Sequence, residues 1–265
     1  MDGINPNGPF FNRCNATHAK WEKDQTIMKY FISILFCSIV FAHNPNAELP
    51  DWKQYTRLGI VNSGMENPGV ATYLRLKRTT SYTFQDIRIY GHFFDHDTEI
   101  RIRQKTSRRF MSLDWLYSFN TLIYEKNTLM DVNLRYHYNQ GLGWLIRNSE
   151  ESNTTLEIGV AFDNSDYLNT EQKTSYFRTG MTFDKDLKLF STKLEVDYYH
   201  QLSEHVQSTD LSRFQMVGDV QLNFKKSILI VLGFTQDFQT NESFDFETAS
   251  IFLTLAFKRP LNWTF

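Results

Sequence analysis

The feature that most constrains this chain is a two-residue hydropathy period that returns again and again between Trp52 and the C-terminus. Val70, Thr72, Leu74 and Leu76 alternate with Ala71, Tyr73, Arg75 and Lys77. Ile87 and Ile89 alternate with Asp86, Arg88 and Tyr90, and Ile100 and Ile102 with Glu99, Arg101 and Arg103. Successive side chains of a strand point to opposite faces, so each such run is a strand with one apolar and one polar face. The pattern predicts about twelve strands, near residues 55–63, 69–79, 83–92, 97–107, 110–123, 130–148, 153–163, 174–185, 188–200, 212–224, 227–239 and 246–258. Several exceed the usual strand length of about 5–6 residues. About ten tilted residues cross a bilayer. The rest of the composition agrees: aromatics make up 15% of the 265 residues, against only 12 Gly and 6 Pro, which excludes a disordered chain. A net charge of −2 gives no electrostatic footprint for nucleic acid.

Alternation alone does not separate a soluble sandwich, apolar inside, from a membrane barrel, apolar outside. The connections discriminate. Those after even strands are tight, at Thr80–Thr83, Ser107–Arg109, Asp184–Leu187 and Lys225–Lys226, with a slightly longer one at Asn148–Ser152. Those after odd strands are long and polar, most clearly 163–174, 201–212 and 239–246. Short turns on one rim and long loops on the other are the pattern of outer-membrane barrels. The expected fold is therefore all-β: an antiparallel up-and-down transmembrane β-barrel of about 12 strands.

The N-terminal region reads as processing sequence. Residues 31–42, FISILFCSIVFA, form an apolar run after Met28-Lys29 and end with small-residue spacing at Val40 and Ala42. That is a secretory signal over 28–42, with a cut after Ala42 or as late as Ala47. Residues 1–27 read as an upstream extension, and 43–265 as one mature barrel domain. Cys14 and Cys37 both precede the cut, so the mature chain carries no cysteine. At the other end, Ile251, Leu253, Leu255 and Phe257 form one face, and counting by twos reaches Leu261, Trp263 and terminal Phe265. A last strand ending in Phe resembles the signal read by the outer-membrane assembly machinery. Pro260 removes a ladder donor and predicts that this strand stops near Lys258.

The stretch from Asn62 to Phe257 resembles a family of salt-induced outer-membrane proteins, domain-of-unknown-function family 481. The resembling residues are Asn62-Ser63-Gly64, Asp131–Arg135 leading to Gln140-Gly141-Leu142-Gly143-Trp144, Leu156–Phe162, and Phe244–Phe257. Trp144 departs from the more usual tyrosine, and residues 110–130 are compressed. The resemblance implies location in the bacterial outer membrane and a link to salt or osmotic stress, but no established activity.

If the apolar face meets lipid, the other face lines a lumen. The lumen-lining candidates are Asp86, Arg88, Glu99, Arg101, Arg103, Asp114, Asp131, Arg135, His137, Glu157, Lys193, Glu195, Asp197 and Asp219. Both signs occur, so the set can neutralise itself across strands as a structural plug, or line a narrow, weakly selective pore. On strand five, Met111, Leu113, Trp115, Tyr117 and Phe119 are expected to face lipid. Gly141 and Gly143 read as a bulge or bend.

Competing chemistry is weaker. His92, Asp95, His96 and Asp97 are weak metal candidates, better read as a polar turn. The same segment could supply a His–Asp pair for an omptin-like protease, and His200 with Ser203 and His205 with Ser208 raise an outer-membrane lipid hydrolase, although the His-x-Ser spacing of the lipid A deacylases and a phospholipase-like Asn-Gly-Arg-Ser segment are both absent. A soluble periplasmic β protein is the third reading. No cofactor motif is present, no catalytic residue is assigned, and the expected partners are outer-membrane lipid and the assembly machinery, around a monomer.

Overall fold

The computed structural model describes residues 52–261 apart from 65–66, 111, 131, 150, 167–171, 204–209, 226 and 241–248. The extension 1–27, the signal segment 28–42 with its cleavage sites, Cys14, Cys37, Asp131, His205, Ser208 and Phe265 lie outside the described residues.

Twelve strands form: β1 (Trp52–Ser63), β2 (Gly69–Thr79), β3 (Thr83–Phe93), β4 (Thr98–Phe110), β5 (Leu113–Asn127), β6 (Val132–Asn148), β7 (Ser152–Ser165), β8 (Gln172–Asp186), β9 (Phe190–Gln201), β10 (Arg213–Lys225), β11 (Ile228–Gln239) and β12 (Ser250–Leu261). Each pairs antiparallel with its sequence neighbour, and β12 pairs with β1 from Trp52↔Leu261 to Ser63↔Ser250, closing the ring. Closure removes the exposed edges that would otherwise template aggregation. The connections at the rim that holds Trp52 are short, 80–82, 111–112, 149–151, 187–189 and 226–227. The opposite rim carries the longest ones, 202–212 and 240–249. The turn after β6 is no longer than its neighbours, because β6 and β7 pair out to Asn148↔Asn153.

The apolar residues face out. Leu58, Ile60 and Leu255 are each 60% or more exposed, and Leu232, Leu253, Ile251 and Val220 continue the same outer surface. Aromatic rings mark both ends of this band. Tyr198, Phe214 and Phe238 stack on the outside near the long loops, with centroids 4.6 and 5.4 Å apart, and Trp115 and Trp144 line a shared outer recess toward the short turns. Inside, by contrast, Asp86, Glu125, Glu157, Arg135 and Arg178 are buried. A soluble sandwich would show the reverse, so that reading falls. An apolar outer band with aromatic girdles around a polar interior is the transmembrane arrangement.

Four sequence expectations need correction. On β5 the faces are exchanged: Tyr117, Phe119 and Ile123 are buried inside. Both faces of this strand carry apolar residues, so hydropathy does not choose between them. Register does: Glu125 pairs with Arg101 on β4 and Arg135 on β6, and parity carries Tyr117, Phe119 and Thr121 inward with it. Asp114, expected in the lumen, is consequently exposed near the start of β5.

Gly141 and Gly143 sit in regular register, opposite Phe119 and Tyr117, with no bulge. Gly141 does mark a close approach, since a Cβ there would lie 2.0 Å from the Ile158 carbonyl oxygen. At Gly143 a Cβ would meet the Tyr117 ring at 2.2 Å, so glycine makes room for an inward aromatic. Finally, β12 runs through Pro260 to Leu261. Lys258 N–H donates to Ser227 on the β11 side, so by alternation the N–H that Pro260 lacks would point the same way, past the end of β11. The missing donor therefore costs no ladder bond.

Candidate functional site, the charged lumen

Inward positions of all twelve strands converge on the lumen, and the charged ones fall into three groups along its length. Toward the short turns, Asp86 on β3 is fully buried between two guanidiniums. Arg75 Nε and Arg88 Nε each donate to it at 2.6 Å. Arg88 then reaches across the barrel and donates to both oxygens of Glu195 at 2.9 and 2.8 Å. β3 and β9 are six places apart in a ring of twelve, so this contact joins opposite walls. Glu195 also accepts from Lys193 at 3.0 Å and from Arg103 at 3.4 Å.

Midway along the barrel, Glu157 accepts from Lys105, from Arg178 at 3.0 Å and from the Tyr117 hydroxyl at 2.7 Å. Arg178 continues to Asp197 at 2.5 Å. Arg57 pairs with Asp219 at 3.4 Å, with its guanidinium 4.1 Å from the Tyr73 ring centroid.

Toward the long loops, three carboxylates meet three arginines. Glu125 takes Arg101 at 2.5 Å and Arg135 at 3.4 Å, Asp163 takes Arg213 at 2.9 Å, and Asp237 lies 3.7 and 3.8 Å from Arg101 and Arg135. His137 contacts Asp163, and its ring stands edge-on to Tyr199 at 4.9 Å. Tyr176 and Tyr199 close the space around Arg213, whose guanidinium lies 4.8 and 4.7 Å from their centroids. Glu99 is held by Tyr90 and His92, at 2.5 and 2.8 Å. Burying an ion costs several kcal/mol unless it is paired and hydrogen-bonded, so these carboxylates and arginines are mutually required.

The space left over is uneven. A vestibule of about 530 Å³ opens at the short-turn end, lined by Lys53, Tyr55, Lys77, Arg109 and Lys258 among others. Beyond it lie a cavity of about 80 Å³ and a crevice of about 30 Å³. The Arg88–Glu195 bridge borders both the vestibule and the cavity.

No protein-family model matches the sequence, and no curated protein matches it. Among solved structures the fold is similar to the NanC porin, with a TM-score of 0.50 and 9% identity over 77% of this chain and 98% of that one. An outer-membrane channel from Pseudomonas putida F1 is similar at a TM-score of 0.46 and 8% identity, covering 83% of this chain and all of that one. The KdgM porin gives 0.45 and 8%, covering 77% and 98%. At such identities the likeness concerns the fold. The chain is a membrane-spanning barrel of the bacterial outer-membrane type.

Of the residues picked from sequence, Asp86, Arg88, Glu99, Arg101, Arg103, Arg135, His137, Glu157, Lys193, Glu195, Asp197 and Asp219 all take part in the contacts above. Sequence reasoning missed Arg57, Arg75, Lys105, Glu125, Asp163, Arg178, Arg213 and Asp237. Asp163 shares its parity with Glu157, and that signal was sufficient to find it. Glu125 sits on the strand whose faces were exchanged, where a carboxylate in line with the supposed lipid face was the warning.

The other candidates disperse. His92 is buried on β3 against Glu99, whereas Asp95 and Asp97 sit in the 94–97 connection, bonded to Asn67 and Thr128. Among the described residues, no group of three or more His, Cys, Asp or Glu is placed to hold a metal. His200 is exposed and stands beside Tyr198, while the Ser203 hydroxyl accepts from the Ser175 N–H at 3.4 Å.

Proposed function

We propose that this protein is a narrow pore of a Gram-negative outer membrane, held shut by its own luminal ion pairs. The observation that carries this reading is the Arg88–Glu195 bridge between opposite walls, at the blind end of an open vestibule. These two side chains are the first barrier beyond the vestibule, and their displacement would join it to the cavity behind, leaving the Glu125–Asp163–Asp237 network as the second barrier. In the same proposal the chain is exported through the segment 28–42, residues 43–265 insert as a monomer into outer-membrane lipid, and the C-terminal strand ending at Phe265 engages the assembly machinery. A role in salt or osmotic stress follows the family resemblance. Slower growth of a deletion strain at raised osmolarity, restored by the intact gene, is the outcome expected.

Conductance in planar bilayers tests the pore. Wild-type protein is expected to pass little current, and the double variant Arg88→Ala with Glu195→Ala to conduct at least severalfold more. Wild-type conductance equal to that of the double variant would refute the closed state. A purely structural barrel is the second reading, favoured by the dense packing around Glu125, Asp163 and Asp237. It predicts that both proteins remain silent.

A further inference from the structure

The cavity beyond the bridge carries more positive charge than its carboxylates balance. Arg57, Arg88, Arg103 and Lys193 line it against two acids, Glu195 and Asp219. Arg101, also on the lining, is taken up by Glu125, and Asp86 beside Arg88 is matched by Arg75. The cross-strand neighbours do not change the count, because Asp184 beside Lys193 is offset by Lys77 beside Asp86. Two positive charges therefore stand uncompensated around a cavity of about 80 Å³ behind the bridge, an arrangement that is costly without an anion.

A second, independent observation points the same way. The 80 Å³ cavity is lined by Arg57 with its partner Asp219, and by Arg101, Arg103, Thr235 and Thr254 together with the bridge residues. Nε of Arg57, Arg101 and Arg103 and the hydroxyls of Thr235 and Thr254 are all buried without a hydrogen-bond partner. Arg57 is itself only 7% exposed. Buried donors are normally satisfied, and a cluster of unsatisfied ones around one cavity marks the place of a missing acceptor. About 10–15 Å³ of such space holds one water, so the cavity accommodates a monatomic anion with water beside it.

We propose that this cavity is a binding site for a small inorganic anion of chloride's size and charge. Arginine N–H groups and the two threonine hydroxyls supply the donors, and the anion completes the charge balance behind the Arg88–Glu195 bridge. The vestibule leads to it past Lys53 and Lys77, which are direct register partners on the inward face. Like charges directly opposite one another repel, so an entering anion lowers the energy of the approach as well. The site needs the cavity and its charges, not conduction, so it stands or falls separately from the pore reading.

The test is anomalous diffraction from crystals of the full barrel soaked in sodium bromide. The expected result is a bromide peak inside the cavity, within hydrogen-bond reach of the Arg57, Arg101 or Arg103 guanidinium. In Arg103→Gln crystals the same peak should be lost or fall severalfold. Bromide found only among the rim lysines, or a cavity holding water alone, would overturn the proposal. So would an undiminished cavity peak in Arg103→Gln.

Discussion

The two halves of the lumen solve the same problem in opposite ways. Near the long loops, Glu125, Asp163 and Asp237 face Arg101, Arg135 and Arg213, three acids to three bases, with Tyr176 and Tyr199 filling the remaining space. Near the short turns, Lys53, Lys77, Arg109 and Lys258 line an open vestibule and make no ion pair among the described residues. Water explains the difference. Where it is excluded, every charge must find a protein partner, and the strands are tied together. Where it enters, a lysine is solvated and needs none.

The sharpest way to break this contrast is to remove one acid from the filled half. Glu125→Leu leaves Arg101 with Asp237 at 3.7 Å and Arg135 with only the distant Asp237 and Asp163, at 3.8 and 3.9 Å, and the expected loss is about 3–5 kcal/mol. Urea unfolding in detergent reads it. If Glu125→Leu is as stable as wild type, the network is not what holds this half together.

The outer wall provides a scale common to both halves. Leu255 lies midway along β12 and faces outward, so Leu255→Arg should cost about 2–4 kcal/mol in a bilayer. Leu134, third residue of β6, lies close to the long-loop rim, and Leu134→Arg should cost only about 0–1 kcal/mol. Equilibrium folding into liposomes measures both, and equal penalties would place the bilayer midplane elsewhere.

The smallest effect belongs to the vestibule. Lys53→Gln and Lys77→Gln are each expected within about 0.5 kcal/mol of wild type. Together they should also abolish a modest stabilisation of wild type by salt, because screening shortens from about 10 Å at 0.1 M to about 3 Å at 1 M and relieves the Lys53–Lys77 repulsion. Thermal unfolding at both ionic strengths would show it. A large loss in either single variant would mean that these lysines are paired after all.

Arg135 shows how far sequence reading reaches. Its inward direction follows from parity with His137, on a strand where Leu134 and Tyr136 occupy the other face. Its partners do not follow, because Glu125, Asp163 and Asp237 come from β5, β7 and β11. Arg135→Leu, harmless if the neighbour is a single solvated acid, becomes costly once three buried carboxylates depend on it.

By itself the sequence determined the strand number, the approximate strand limits and the asymmetry of the two rims, because a period of two and the lengths of polar connections are local properties. It also placed most luminal charges, since one apolar face per strand fixes the parity of the other. The tertiary structure alone decided three things. On β5, apolar on both faces, the pairing of Glu125 with Arg101 and Arg135 chose the inward side. At Pro260, the end of β11 decided that a missing donor costs nothing. In the lumen, ring closure brought β3 and β9 face to face, and only there does Arg88 meet Glu195. Strand periodicity encodes direction at each residue, whereas partnership across a barrel depends on closure, which no local pattern contains.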